Sequence, residues 1–169
     1  PNNWDSFAVQ IDDDVYTIPC RFTDFLENGW PLSEEDPDNR LVGADKPYCE
    51  FPNRNLTLTN DKDQSISVTV YNTSESPVPI KEGTVGRLSV SNSSHDFYGA
   101  DLQLPGGMML GWVTIEDVID QYGEPSDRYK TFNLTYELEG SEYTKYLDLT
   151  FDRDGFLSNA VIQNHEYYR

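Results

Sequence analysis

Gly106-Gly-Met-Met-Leu-Gly-Trp-Val-Thr-Ile-Glu-Asp-Val-Ile-Asp-Gln-Tyr-Gly-Glu-Pro125 is the most sharply punctuated stretch of this chain. It reads as a glycine turn, a short strand and one helix. Thr114 is a favoured N-cap, and Asp117 three residues on makes a near capping box. Ile115, Val118, Ile119 and Tyr122 recur at helical spacing and give one apolar stripe. Gly123 stands where a C-terminal glycine belongs, and Pro125 bars continuation. Three strand-like runs follow: 131–138, 143–151 and 156–163. The first alternates Phe132, Leu134, Tyr136 and Leu138 on one side, and Asp152-Arg-Asp-Gly155 is a hairpin turn.

The first half follows the same order. Phe7 to Ile18 reads as a hairpin around Asp12-Asp13-Asp14. Phe22, Phe25 and Leu26 have helical spacing, and Asn28-Gly29 then Pro31 stop that helix. Residues 31–47 are polar and proline-broken, hence loop. Strands resume at 55–59 and at 65–71, where Ile66, Val68 and Val70 make one face, and a further strand covers 84–90. The expected fold is α+β: two sequential modules, 1–100 and 101–169, each with one helix packed on an antiparallel sheet, related by a diverged duplication.

Charge narrows the possible partners. The chain has 169 residues and a net charge of −18, from 30 acidic and 12 basic side chains. The excess is spread along it, −10 over residues 1–100 and −8 over 101–169. Such a field repels phosphate backbones, so nucleic acid is excluded as a partner class. No run reaches the roughly 18 apolar residues of a membrane span, so no membrane insertion is expected from these residues. With 37% hydrophobic and 13% aromatic residues there is still ample material for a core.

The cysteines are Cys20 and Cys49, outside any CxxC pair. Abundant Tyr, Asn, Thr and Ser with few lysines favour an extracellular or cell-surface setting, where the two would form a disulfide. It would close a loop of about 28 residues, for about 3 kcal/mol in the chain-entropy model. The chain opens at Pro1 rather than Met, which fits prior removal of a signal or anchor segment.

Leucine-glycine, Thr114-Ile-Glu-Asp-Val118, Tyr122-Gly-Glu-Pro125, Tyr136 and Phe151-Asp-Arg-Asp-Gly155 together resemble the BLIP-like and BamE-like modules of secreted Gram-positive bacterial lipoproteins. Ile18 to Trp30, following its hairpin, resembles the first half of such proteins. The resemblance implies helical segments on an antiparallel sheet, lipid anchorage, and protein binding, envelope assembly or inhibition without catalysis. It carries over no binding residue.

Chemistry-bearing constellations are sparse. His95 and His165 lie in no triad context, and Asp152-Arg-Asp-Gly155 lacks the later ligands of a calcium loop. No metal or cofactor is expected. The binding candidates are the side chains facing away from the core: Asn133, Thr135, Glu137, Tyr146, Asp148 and Thr150 in the second half, and Thr57, Thr59, Ser67, Thr69 and Tyr71 in the first. Tyr71, Thr69, Tyr146, Asp148 and Glu137 head this set, because a tyrosine ring buries area while its hydroxyl stays satisfied. Trp30 and Trp112 flank the helices and are expected in the core or a hinge. The expected function is a non-enzymatic, extracellular protein-binding module using an open sheet face, its partner unidentified. The alternatives are a carboxylate-dependent hydrolase acting on cell wall or glycan, and a passive structural ectodomain.

Overall fold

Strand-forming sequence dominates this chain. The computed structural model describes residues 3–32, 40–41, 53–92 and 100–165. In chain order the elements are β1 (Ala8–Ile11), β2 (Asp14–Thr17), β3 (Cys20–Arg21), α1 (Phe22–Glu27), β4 (Arg40–Leu41), β5 (Asn53–Thr59), β6 (Ser65–Tyr71), β7 (Val78–Pro79), β8 (Thr84–Ser91), β9 (Leu102–Leu104), β10 (Met108–Met109), α2 (Ile115–Tyr122), β11 (Asp127–Tyr129), β12 (Asn133–Glu137), β13 (Lys145–Phe151) and β14 (Leu157–Asn164). The large sheet runs β11-β12-β13-β14-β8-β6-β5, with β3 also on β8. A four-stranded sheet runs β10-β9-β1-β2, and β4 pairs with β7.

Turn chemistry sets the hairpins. Asp152 Oδ1 accepts the N–H groups of Asp154 and Phe156 at 2.9 and 3.0 Å, and Gly155 takes φ +88°. Asn60 Oδ1 does the same for Lys62 and Gln64, both at 3.0 Å, between β5 and β6. The turn between β1 and β2 is tied to the second half: Asp12 N–H donates to the Asp101 carbonyl at 2.8 Å, and Asp101 N–H to Asp12 Oδ1 at 3.2 Å.

The α+β expectation of two helix-on-sheet modules is overturned. Strand makes up 47% and helix 15%, and among the described residues only one helix reaches seven residues. α1 lasts six residues because Arg21 gives it no side-chain cap and Asn28-Gly29 ends it. It buries only Phe22 and Phe25. α2 has the expected capping box, with Thr114 and Asp117 serving each other's N–H groups, and its eight residues bury Ile115, Val118 and Tyr122. Neither helix supplies a layer. The sheets instead draw strands from both sides of residue 100: β14 pairs with β8, and β9 pairs with β1.

One apolar cluster draws on both sheets, including Val9, Ile11, Leu102 and Leu104 of the smaller and Leu88, Leu134, Leu149 and Ile162 of the larger. Two tyrosines fasten α2 to it. Tyr122 Oη donates to the Pro105 carbonyl at 2.6 Å and Tyr136 Oη to that of Gly123 at 2.8 Å. Their rings meet edge-on at 5.7 Å. Burial pushes both hydroxyls up, Tyr136 to about 12 from 10.0.

Where β6 meets β8, the register jumps from Thr69–Arg87 to Val70–Val85 and leaves Gly86 as a bulge. The Tyr71 ring lies over Gly86 and stacks on His165 at 3.6 Å. A Cβ at Gly86 would come within 2.8 Å of His165 Cβ and 2.9 Å of the Tyr71 ring. The glycine is therefore demanded by close approach.

Candidate binding surfaces

Cross-strand pairing shows where the nominated side chains meet. Glu137, Tyr146, Gln163, Arg87, Thr69 and Asn55 are successive neighbours across β12, β13, β14, β8, β6 and β5. Thr135, Asp148, Val161, Ser89, Ser67 and Thr57 form the adjoining row. Side chains two apart on a strand share a face, so Tyr71 joins Thr69 there. The two expected faces are thus one face of one sheet, joined through β14 and β8.

That face is largely occupied with itself. Asn133 Nδ2 donates to Asp148 Oδ1 at 2.8 Å, and Thr135 Oγ1 donates to the same oxygen at 3.1 Å. Tyr146 Oη donates to Gln163 Oε1 at 3.1 Å, and Thr69 Oγ1 to Asn55 Oδ1 at 2.5 Å. Glu137 Oε1 accepts the Tyr143 N–H at 2.7 Å. Thr69 and Tyr71 are buried, the latter 4% exposed, while Tyr146, Asp148 and Glu137 are half-buried.

Aromatic exposure concentrates elsewhere. Trp30 is in the core as expected, but Trp112 is not: it stands 76% exposed in the turn after β10. Tyr129, Phe132 and Phe156 are 57%, 40% and 40% exposed. Backbone contacts bring their turns to one end of the large sheet. Phe151 N–H donates to the Phe132 carbonyl at 2.8 Å, Asp152 N–H to that of Phe156 at 2.8 Å, and Leu157 N–H to that of Val113 at 2.9 Å. Thr114 bridges to Phe156. Tyr129 and Phe132 meet edge-on at 5.8 Å, with Lys130 Nζ 5.1 Å and 5.9 Å from their ring centres. The Lys130 ammonium lies within cation–π reach of both rings, which stay exposed.

Sequence reasoning missed this end, since alternation assigns Phe132 to the core. The available signal was position: Trp112 follows Gly111, Phe156 follows Gly155, and Tyr129 and Phe132 flank a two-residue turn. Aromatics beside turns stand at sheet ends, where one face lacks a neighbour.

Cys20 is a half-buried free thiol, and burial followed by the Asp24 charge pushes it up to about 12 from 9.0. Its expected partner Cys49 lies outside the described residues, as does His95. Among the described residues no helix is long and apolar enough to cross a membrane, and no three His, Cys, Asp or Glu side chains converge to hold a metal ion. No protein-family model, curated protein or solved structure matches the chain.

Proposed function

We propose that this chain is a non-enzymatic, extracellular or cell-surface protein-binding module whose partner docks on the aromatic end. The carrying observation is the joint exposure of Trp112, Tyr129, Phe132 and Phe156. Large aromatic rings gain most from leaving water: each carries about 150–250 Å² of buriable surface. Four of them, with Lys130 at the edge, make the apolar centre and polar rim of a protein interface. The sheet face nominated from sequence is the poorer anchor, because Asp148, Thr69 and Tyr146 already bond their neighbours. A partner there must break those bonds before forming its own. The extracellular setting and kinship to BLIP-like and BamE-like modules belong to this proposal. They rest on composition and on the resemblance carried by Leu110–Pro125, Tyr136, Phe151–Gly155 and Ile18–Trp30.

The test is retention of envelope and culture-fluid proteins from the source cells on the immobilised chain, compared with Trp112→Ala and Phe132→Ala. Both side chains are exposed, so the variants retain the fold. A protein held by the parent and lost from both variants supports the reading. Identical retention by all three chains removes the aromatic end as the docking surface.

A further inference from the structure

The four-stranded sheet stops at β2, and among the described residues no strand pairs with its outer edge. Hydrogen-bond parity shows which groups that edge presents. Ile18 N–H donates to the Phe7 carbonyl at 2.9 Å, so the Phe7–Ile18, Val9–Tyr16 and Ile11–Asp14 positions exchange bonds within the hairpin. The alternate β1 residues face β9, as the Asp12 N–H bond to Asp101 confirms. The N–H and C=O groups of Val15 and Thr17 therefore point away from the sheet. Both residues are exposed, Val15 at 67%.

Beside this edge a groove of about 260 Å³ runs between β2 and α1, lined by Val15, Tyr16, Thr17, Cys20, Asp24, Glu27 and Asn28. Its floor is rigid: the Tyr16 ring stacks on Phe25 at 4.1 Å and its hydroxyl accepts the Asn28 amide at 3.0 Å. A strand edge facing a helix across a groove is the arrangement that receives an extended segment by strand addition. Charge identifies the occupant. Glu27 and Asp14 stand along the groove and strand without an ion pair among the described residues, while Arg21 nearby is held by Asp24 at 2.6 Å and feels the Glu27 charge only at longer range. At the hairpin end a second groove brings Asp12, Asp13 and Asp14 beside Asp61, against one cation, Lys62.

We propose that the outer edge of β2 binds an extended segment of a partner protein carrying Lys or Arg at alternate positions. Main-chain bonds to Val15 and Thr17 align it, Glu27 and Asp14 meet its cations, and the Val15 side chain meets its apolar residues. A second copy of this chain is a poor occupant, because its own β2 is led by three aspartates and each chain carries −18. The site is independent of the aromatic end: Trp112 follows β10, at the opposite edge of the same sheet.

The probe is a fluorescent hexapeptide of alternating Lys and Val, compared with its Glu-Val counterpart, followed by anisotropy and by amide NMR of the full chain. The expected result is saturable binding of the Lys-Val peptide alone, weakened by salt, with Val15 and Thr17 amides newly protected from exchange. Glu27→Gln should weaken it about two- to fivefold. Val15→Pro should abolish it, since proline is tolerated on an outward edge position but removes the N–H that the segment needs. Thr17→Pro repeats the test should Val15→Pro unfold. Equal binding of both peptides, binding that survives a folded proline variant, or concentration-dependent dimerisation through β2 each overturns the proposal.

Discussion

Replacing Gly86 by alanine tests the packing of the large sheet where it is tightest. Relieving glycine of its backbone freedom normally stabilises a strand by about 0.7 kcal/mol. Here the new methyl would sit 2.8 Å from His165 Cβ and 2.9 Å from two Tyr71 ring carbons, on a residue with no positive φ to explain glycine otherwise. Real Cβ atoms do not approach that closely, so the ring and His165 must move apart. Overpacking of this kind costs about 2 kcal/mol, which leaves Gly86→Ala destabilised by about 1.3 kcal/mol net. For a domain of this size that lowers Tm by about 3–5 °C. Urea unfolding and thermal circular dichroism would measure it, with m unchanged. The decisive arm is the double-mutant cycle with Tyr71→Ala. That change destabilises by itself, but it removes the ring and frees His165 from its stack. In that background Gly86→Ala should stabilise, giving a coupling of about 2 kcal/mol. Neutral behaviour in the parent chain, or an equal loss in both backgrounds, would refute the steric account of Gly86.

Three further expectations follow from particular contacts. Thr114→Ala removes the acceptor of the Asp117 N–H and half the capping box, so it should cost about 1 kcal/mol by urea unfolding, with Thr114→Ser largely restoring it. Asn133→Ala deletes the amide that bridges Asp148 to the Leu149 carbonyl, at 2.8 and 3.2 Å, and should cost about 1–2 kcal/mol in the same assay. Alkali should unfold the chain: burial raises Tyr16 and Tyr136 to about 12 from 10.0 and Cys20 to about 12 from 9.0. These groups are neutral when protonated and the unfolded chain loses their protons first, so their stabilisation is complete below about pH 9 and disappears by about pH 12. Circular dichroism against pH should show the Tyr16→Phe midpoint shifted upward, once its neutral-pH stability is subtracted.

Local signals carried much of the fold. The caps at Thr114 and Gly123 delimit α2 to the residue, because a helix end is decided by groups within four positions of it. Alternation in 65–71 oriented β6, with Ile66, Val68 and Val70 inward, and the Asp152–Gly155 turn set the hairpin of β13 and β14. Alternation failed at strand ends: Phe132 and Leu138 flank β12 and remain partly exposed, Phe132 lying against the exposed Tyr129 ring at the end of the sheet rather than in the core. Pairing between distant strands was not legible. Nothing near Leu157–Asn164 marks β8 as its neighbour, some seventy positions back, since an inward-facing apolar strand fits any partner of similar pattern. Two modules were therefore expected where the sheets interleave. The candidate face was legible as polar alternation in each half, but the hydrogen bonds that satisfy Asp148 and Thr69 depend on cross-strand register, which a single sequence does not display.

The position of β14 also governs the order in which this protein can be completed. Among the described residues it is the last strand, yet it lies in the middle of the eight-stranded sheet, between β11–β13 on one side and β8, β6 and β5 on the other, with β3 also on β8. A ribosome delivers β5, β6 and β8, then β11 to β13, as two unjoined ribbons. Each keeps an open edge, along residues 87–91 of β8 beyond its short pairing with β3 and along β13, until residues 157–164 emerge. During that interval the nascent chain is most exposed to pairing with a neighbour of its own kind. β14 then enters as a keystone, closing both edges in one event.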